Sequence, residues 1–307
     1  MQFERDFFKA EIKTGFLVSE SMKKVWASSI ECLMDIAEVC RNENLRWFAM
    51  FGTLLGAVRH HGFIPWDDDI DIALFRKDYE YLRNNAKRLL PSNYEVLDSS
   101  KKYVKGLDIL RICNTDDVCV EHSFLQKYHG CPYLIGIDIY PIDNCPENKE
   151  LDQSICDILN LIARVITIDE EIENPVEDDI AERYEIIELL ANVSGKAFSS
   201  DKDALHMELM QYYDEISQFA NGQDTEECTI YRNHRFSADA VYSKKIFEKT
   251  VRLPFENSII DAPAGFDDAL KKMYGNYLSL VKSGVSGHAY GFEDQEERLY
   301  ETFGYLI

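Results

Sequence analysis

No CxxC pair occurs among the eight cysteines, which are scattered at positions 32, 40, 113, 119, 131, 145, 156 and 228 of a 307-residue chain. That spacing suggests neither a zinc knuckle nor a dense disulfide framework. It predicts free, mostly buried thiols, with Cys131 and Cys145 the one pair that could in principle meet each other or a metal. Long apolar runs are also missing: nothing reaches the roughly 18 uncharged apolar residues that a membrane span needs. The start, MQFERDFFKAEIK, lacks the apolar core and small-residue cleavage site of a secretory signal. These absences predict a cytoplasmic protein of a reducing compartment, at most peripheral to the inner face of a membrane. Basic residues are few, 33 Lys and Arg against 55 Asp and Glu, for a net charge of −22. Such a surface repels nucleic-acid polymers and anionic lipid, leaving room only for a small local basic pocket.

What is present suffices for a large core. With 46% hydrophobic residues the chain is globular, and its length predicts one large or two packed domains. We find no internal repeat and no low-complexity segment. From Ser19 to Arg41, apolar residues at Met22, Val25, Trp26, Ile30, Leu33, Ile36, Ala37 and Cys40 lie three and four apart, the spacing of one helix face. Arg46 to Phe51 reads as a short strand, and Gly52-Thr53 opens a helical turn through His60. His61 to Trp66 is a loop by virtue of Gly62 and Pro65. Asp69 to Phe75 (DIDIALF) alternates strictly, with Ile70, Ile72 and Leu74 on one face and Asp69, Asp71 and Ala73 on the other.

Asp78 to Leu90 reads as a helix stopped by Pro91. Tyr94 to Leu97, Leu107 to Cys113, Val118 to His122 and Ile135 to Tyr140 read as strands. This order predicts an α+β chain with a mixed sheet flanked by helices. Helical spacing over Leu151 to Ile168 and Ala204 to Ala220 predicts a helical subdomain. Between them Asp169 to Asp179 carries seven acidic residues and no basic one, the pattern of a solvated loop. Val251 to Phe255 reads as a strand, Pro263 and Gly265 as a turn, and Asp267 as the cap of a short helix. The expected division is 1–45 a packing-helix region, 46–146 the catalytic core, 147–222 the helical subdomain and 223–307 a C-terminal segment packing on the core.

The chemistry concentrates in FGTLLGAVRHHGFIPWDDDIDIALF, residues 51–75. Asp69 and Asp71, two apart on one strand face, bring their oxygens close enough to share a hard cation, and without one they repel. Asp138, on a strand expected to lie alongside, would complete an oxygen cage for Mg²⁺, with Mn²⁺ as the alternative, and leave positions for water and a substrate phosphate. The Gly52-Thr53 turn offers backbone N–H groups and a hydroxyl to a phosphate, and Arg59 supplies a forked cation. Arg111 is a second phosphate-facing candidate, with a surface salt bridge the competing role.

Other meanings of the aspartates fit less well. An EF-hand using Asp67, Asp69 and Asp71 would need glycine where Ile72 stands. The DDxxD pattern of terpenoid synthases, matched by Asp67, Asp68 and Asp71, lies on a helix, whereas Pro65 and the isoleucine alternation favour a strand. A DxD-type glycosyltransferase lacks support because a packing helix occupies the place of an N-terminal βαβ unit. His60 and His61 adjoin the site without both facing it, Trp66 packs the loop or contributes to an aromatic cage, and His288 is left without a role.

Gly52 to Asp71, GTLLGAVRHHGFIPWDDDID, closely resembles the signature of the LicD family, the phosphocholine-transferase relatives that include the fukutin-related proteins. Ile137 to Asp143 and Leu253 to Tyr277 are similar as well. The resemblance implies a polymerase-beta-like nucleotidyltransferase core. It also implies transfer of a phospho-alcohol, phosphocholine above all, from a CDP-activated donor to a sugar hydroxyl of a free or lipid-linked cell-surface glycan. In that superfamily the strand carboxylates correspond to Asp69 and Asp71, the third to Asp138, and the glycine-led turn to Gly52 and Thr53. A nucleotidyltransferase or glycosyltransferase is the enzymatic alternative, and a catalytically inactive nucleotide-binding protein the non-enzymatic one.

Overall fold

A computed structural model describes residues 2–237, 240–280 and 292–304. In chain order the elements are β1 (Glu11–Lys13), β2 (Phe16–Val18), α1 (Glu20–Asn42), β3 (Trp47–Ala49), α2 (Phe51–His60), β4 (Ile70–Phe75), α3 (Arg76–Leu89), β5 (Glu95–Asp98), β6 (Leu110–Cys113), α4 (His122–Lys127) and β7 (Gly136–Asn144). They continue with α5 (Lys149–Glu170), α6 (Glu177–Ser194), α7 (Lys202–Ser217), β8 (Glu227–Thr229), α8 (Tyr231–His234), β9 (Val241–Ser243), β10 (Thr250–Phe255), β11 (Ser258–Pro263), α9 (Phe266–Tyr274) and α10 (Glu293–Phe303). The chain is thus α+β, with a mixed sheet flanked by helices.

Two compact units divide the chain: 1–96, 111–140 and 246–307 form one, 97–110 and 141–245 the other. In the first unit α1 starts where the Ser19 hydroxyl accepts the Met22 N–H, and it buries the predicted stripe from Met22 through Trp26, Leu33 and Cys40. The sheet path is β3-β4-β7-β6-β5, with β3 and β4 antiparallel and Phe48 opposite Ala73. Being interior to that path, β4 is buried from Ile70 to Leu74, so its aspartate face is covered as well as its isoleucine face. A separate hairpin, β10 with β11, buries Phe255, Ile260 and Ala262.

In the second unit α5 packs against α6 and α7 around Ile162, Val165, Ile186, Leu190, Leu205 and Leu209. The last residues of β7 pair with β8, and β8 with β9.

Several expectations are corrected. The acidic run is not one solvated loop, because Glu177 opens α6. Asp169 is held there by the Arg183 fork at 2.6 and 2.9 Å, and Glu170 is buried beside His206. Val118 to His122 forms no strand. Its neighbouring segment contributes Pro132, whose carbonyl accepts the Cys119 N–H but which has no N–H to return, and α4 follows at once. Pro263 ends β11 rather than making a turn. The N-cap of α9 is Gly265, while Asp267 sits in the first turn, where it accepts the Tyr277 hydroxyl at 2.8 Å and pairs with Lys271. All eight cysteines are free thiols, and all but Cys119 are buried.

Candidate active site

Asp67, Asp68 and Asp69 occupy the loop that runs into β4, and Asp71 is the second residue of that strand. The run is fixed through its backbone. Trp26 of α1, stacked on Phe63, donates its indole N–H to the Asp67 carbonyl at 2.7 Å. The Asp71 N–H donates to the buried Thr53 hydroxyl at 2.8 Å, and the Asp71 carbonyl accepts from Met50 N–H at 3.1 Å. Oxygens of Asp67, Asp68 and Asp69 all lie within 4.8 Å of one another. Like charges at that spacing cannot all ionise without a counter-ion. Burial first, and then the charge of Asp69, pushes the Asp67 carboxyl up to about 9. Gly52, at the start of α2, lets this carboxylate approach: a Cβ there would stand 2.6 Å from Asp67 Oδ2.

β7 lies directly beside β4, which puts the third predicted carboxylate, Asp138, on the adjacent strand. Asp138 is buried and does not stand alone. Arg111, reaching from β6 on the other side of β7, grips it with Nε on Oδ1 at 2.5 Å and Nη2 on Oδ2 at 2.8 Å. The hydrogen bond to Asp138 holds the guanidinium above its ordinary pKa against the opposing effect of burial. Gly136 makes room for the Arg111 stem, since a Cβ at that position would meet Arg111 Cδ at 2.6 Å.

Asp68, Asp69, Arg111, Gly136 and Asp138 line one cavity of about 250 Å³. Phe292 and Gln295 add to its lining, and Gln295 is fastened by a pair of hydrogen bonds to the Leu134 backbone, at 2.7 and 3.0 Å. The chain therefore brings Asp69, Asp138 and Arg111 together. Asp71 and Thr53 sit behind the lining as a bonded pair, and Gly52 abuts Asp67.

Arg59 is elsewhere. Seven residues after Gly52, about 10 Å along the helix, it donates Nη1 to the Tyr277 carbonyl at 3.1 Å and Nε to His60 Nε2 at 2.9 Å. His60 is pushed down to about 4 by burial and then by the Arg59 charge. His61 ends α2 in the left-handed conformation, φ 56°. Trp66 packs edge-on against Phe16, and His288 lies outside the described residues. In sequence Asp67 and Asp68 fall only in motifs that the surrounding pattern does not favour, and neither Gly136 nor Gln295 stands out. The run of three aspartates was the available signal for the first two, whereas nothing local marks the others.

Together the fold and the cavity define an α+β domain with a cleft that carries several carboxylates among apolar residues and a guanidinium at its wall, groups of the kind that phosphate chemistry uses. Residues 44–131 match the family model described as LicD/FKTN/FKRP, nucleotidyltransferase domain, so the similarity to the LicD family holds over that segment. The segment carries every predicted site residue except Asp138, which lies beyond it. The chain is 34% identical over 128 residues to an uncharacterized protein of Rickettsia prowazekii, covering 42% of this chain and 44% of that one. A second uncharacterized protein, of Rickettsia typhi, is 29% identical over 122 residues, 40% and 36% of the two chains. The lipopolysaccharide cholinephosphotransferase LicD of Haemophilus influenzae is 48% identical over 42 residues, 14% of this chain and 16% of that one. The chain thus matches less than half the length of each of these relatives. Among the described residues no helix is long and apolar enough to cross a membrane.

Proposed function

We propose that the protein is a LicD-like phosphotransferase that moves a phospho-alcohol, phosphocholine first among the candidates, from a CDP-activated donor to a sugar hydroxyl of a glycan. The observation that supports this most is one cavity lined both by Asp68 and Asp69, in the loop entering β4, and by the Arg111–Asp138 pair of the neighbouring strands. The carboxylates fit a hard divalent ion: all their donors are oxygens, and burial first, then their crowding, leaves Asp67 reluctant to ionise unaided. Asp67, Asp68 and Asp69 would hold Mg²⁺. When bound, the ion supplies charge neutralisation to a diphosphate.

The rest of the work falls to the chain itself. Arg111 spends two of its N–H donors on Asp138, and the others remain to orient a donor phosphate. A carboxylate has lone pairs beyond the two used by Arg111, so Asp138 can accept the acceptor hydroxyl's hydrogen bond without releasing its partner. As the acceptor oxygen bonds to phosphorus, its proton passes to Asp138. The phosphorus bond to the CMP oxygen breaks, and positioning and electrostatics carry the step with no covalent protein nucleophile.

The test is incubation with Mg²⁺, a glycan acceptor and, separately, CDP-choline, CTP or UDP-sugars. CMP from CDP-choline is the expected product. Pyrophosphate from CTP, or UDP from a UDP-sugar, would replace this reading with the nucleotidyltransferase or glycosyltransferase one. CDP-choline binding without turnover would make the protein an inactive relative.

A further inference from the structure

Within the second unit, three separate stretches of chain bring metal-ligating groups to one buried point. Cys145 follows the end of β7, Asp152 lies in the first turn of α5, and His234 ends α8. One ligand atom from each lies within 4.8 Å of the other two, and all three residues are buried. Cys156 follows Asp152 by one helical turn on α5 and is likewise buried.

The bonding of His234 is informative. Its Nδ1 faces the Ser237 carbonyl at 3.2 Å, which calls for a proton on that nitrogen. In the neutral ring Nε2 then bears a lone pair, and it faces Asp152 Oδ2 at 2.8 Å. A buried contact of this kind is satisfied by a second ring proton, giving a His234–Asp152 ion pair, or by a metal ion seated among the clustered ligand atoms. The other Asp152 oxygen accepts from the Tyr231 hydroxyl at 3.2 Å, so the carboxylate is oriented from outside the cluster. A ligating imidazole whose second nitrogen is held by a backbone carbonyl, beside a carboxylate steadied by a hydroxyl, is the usual outer-shell arrangement of a protein metal site.

We infer that Cys145, Asp152, Cys156 and His234 bind one zinc ion that staples α8 to the start of α5. Thiolate, imidazole and carboxylate together are a borderline-soft set suited to tetrahedral Zn²⁺ and poorly suited to Mg²⁺. The site is distinct from the all-oxygen aspartate group.

The experiment begins with metal analysis of the full chain after gel filtration, as isolated and after exposure to excess Zn²⁺. One zinc per chain is expected, with a thermal midpoint that falls by roughly 5–10 °C when a strong chelator removes it. Co²⁺ substitution of the wild-type protein is expected to give a thiolate-to-metal absorption band, which the aspartate group cannot produce. The band should be lost in Cys145→Ser and weakened in Cys156→Ser. Absence of stoichiometric zinc after reconstitution, or a Co²⁺ spectrum without a thiolate band, would overturn the assignment and leave a His234–Asp152 ion pair. Should a cysteine variant fail to fold, the wild-type spectrum decides by itself.

Discussion

Arg111 holds Asp138 by both carboxylate oxygens from the neighbouring strand, and that pair forms one wall of the cavity that Asp69 also lines. A fully buried pair costs about 3–5 kcal/mol when one partner is deleted. Here Asp138 is sheltered but the Arg111 side chain is 41% exposed, so solvent recovers part of that cost. Arg111→Ala is expected to lose about 1–2 kcal/mol in urea unfolding, and Arg111→Ala with Asp138→Ala together to lose less than the sum of the single changes.

Asp69 and Asp71 separate chemistry from scaffold. Asp69 is exposed at the entrance of β4, so Asp69→Ala should change stability by no more than about 0.5 kcal/mol. CMP release should nevertheless fall by about 100-fold or more. Asp71→Ala should instead destabilise the fold measurably, because the side chain is buried, and lower turnover only as far as β4 is disturbed. Near-normal rates from Asp69→Ala would remove that carboxylate from the proposed reaction.

Thr53 offers a test of how the aspartate strand is fastened. Thr53→Val deletes the acceptor of the Asp71 N–H in a buried place, which should cost about 1–3 kcal/mol by chemical denaturation. Thr53→Ser keeps the oxygen and should recover most of the loss. If valine is tolerated at no cost, the hydroxyl does not anchor the strand.

His60 accepts a hydrogen bond from Arg59 Nε and must be neutral to do so. Its pKa is about 4 in the folded chain, below its ordinary value of 6.5. The unfolded chain therefore takes up the proton first as pH falls. The stability His60 contributes is complete above pH 6.5 and is lost progressively toward pH 4. Thermal midpoints across that interval should flatten in His60→Gln relative to wild type. Parallel profiles would show that another group carries the titration.

The elements with clear periodicity were readable from the chain alone. The stripe from Met22 to Cys40 became α1, the DIDIALF alternation became β4, and Pro91 followed the end of α3. Failures arose where partners were distant in sequence. The acidic run hides the start of α6 because its neutralising contacts come from Arg183 and Arg164, which meet Asp169 and Asp179 only after the helices pair. Arg111 and Asp138 were each noted singly, one for phosphate and one for a cation. Their mutual bond depends on β7 entering the sheet between β4 and β6, a long-range order that no local spacing encodes. Arg59 is close to Gly52 in sequence, but the length of α2 carries it to the opposite end of that helix.

Trp26 takes hold of Asp67 by its backbone carbonyl and leaves the acid group untouched. The indole therefore immobilises a crowded stretch of like charges without consuming any of their capacity for a visiting ion. A side chain that bonded the carboxylate instead would have calmed the repulsion and taken up a lone pair the proposed ion needs. Position 26 thus governs how sharply the loop is poised, although its ring bonds only the backbone.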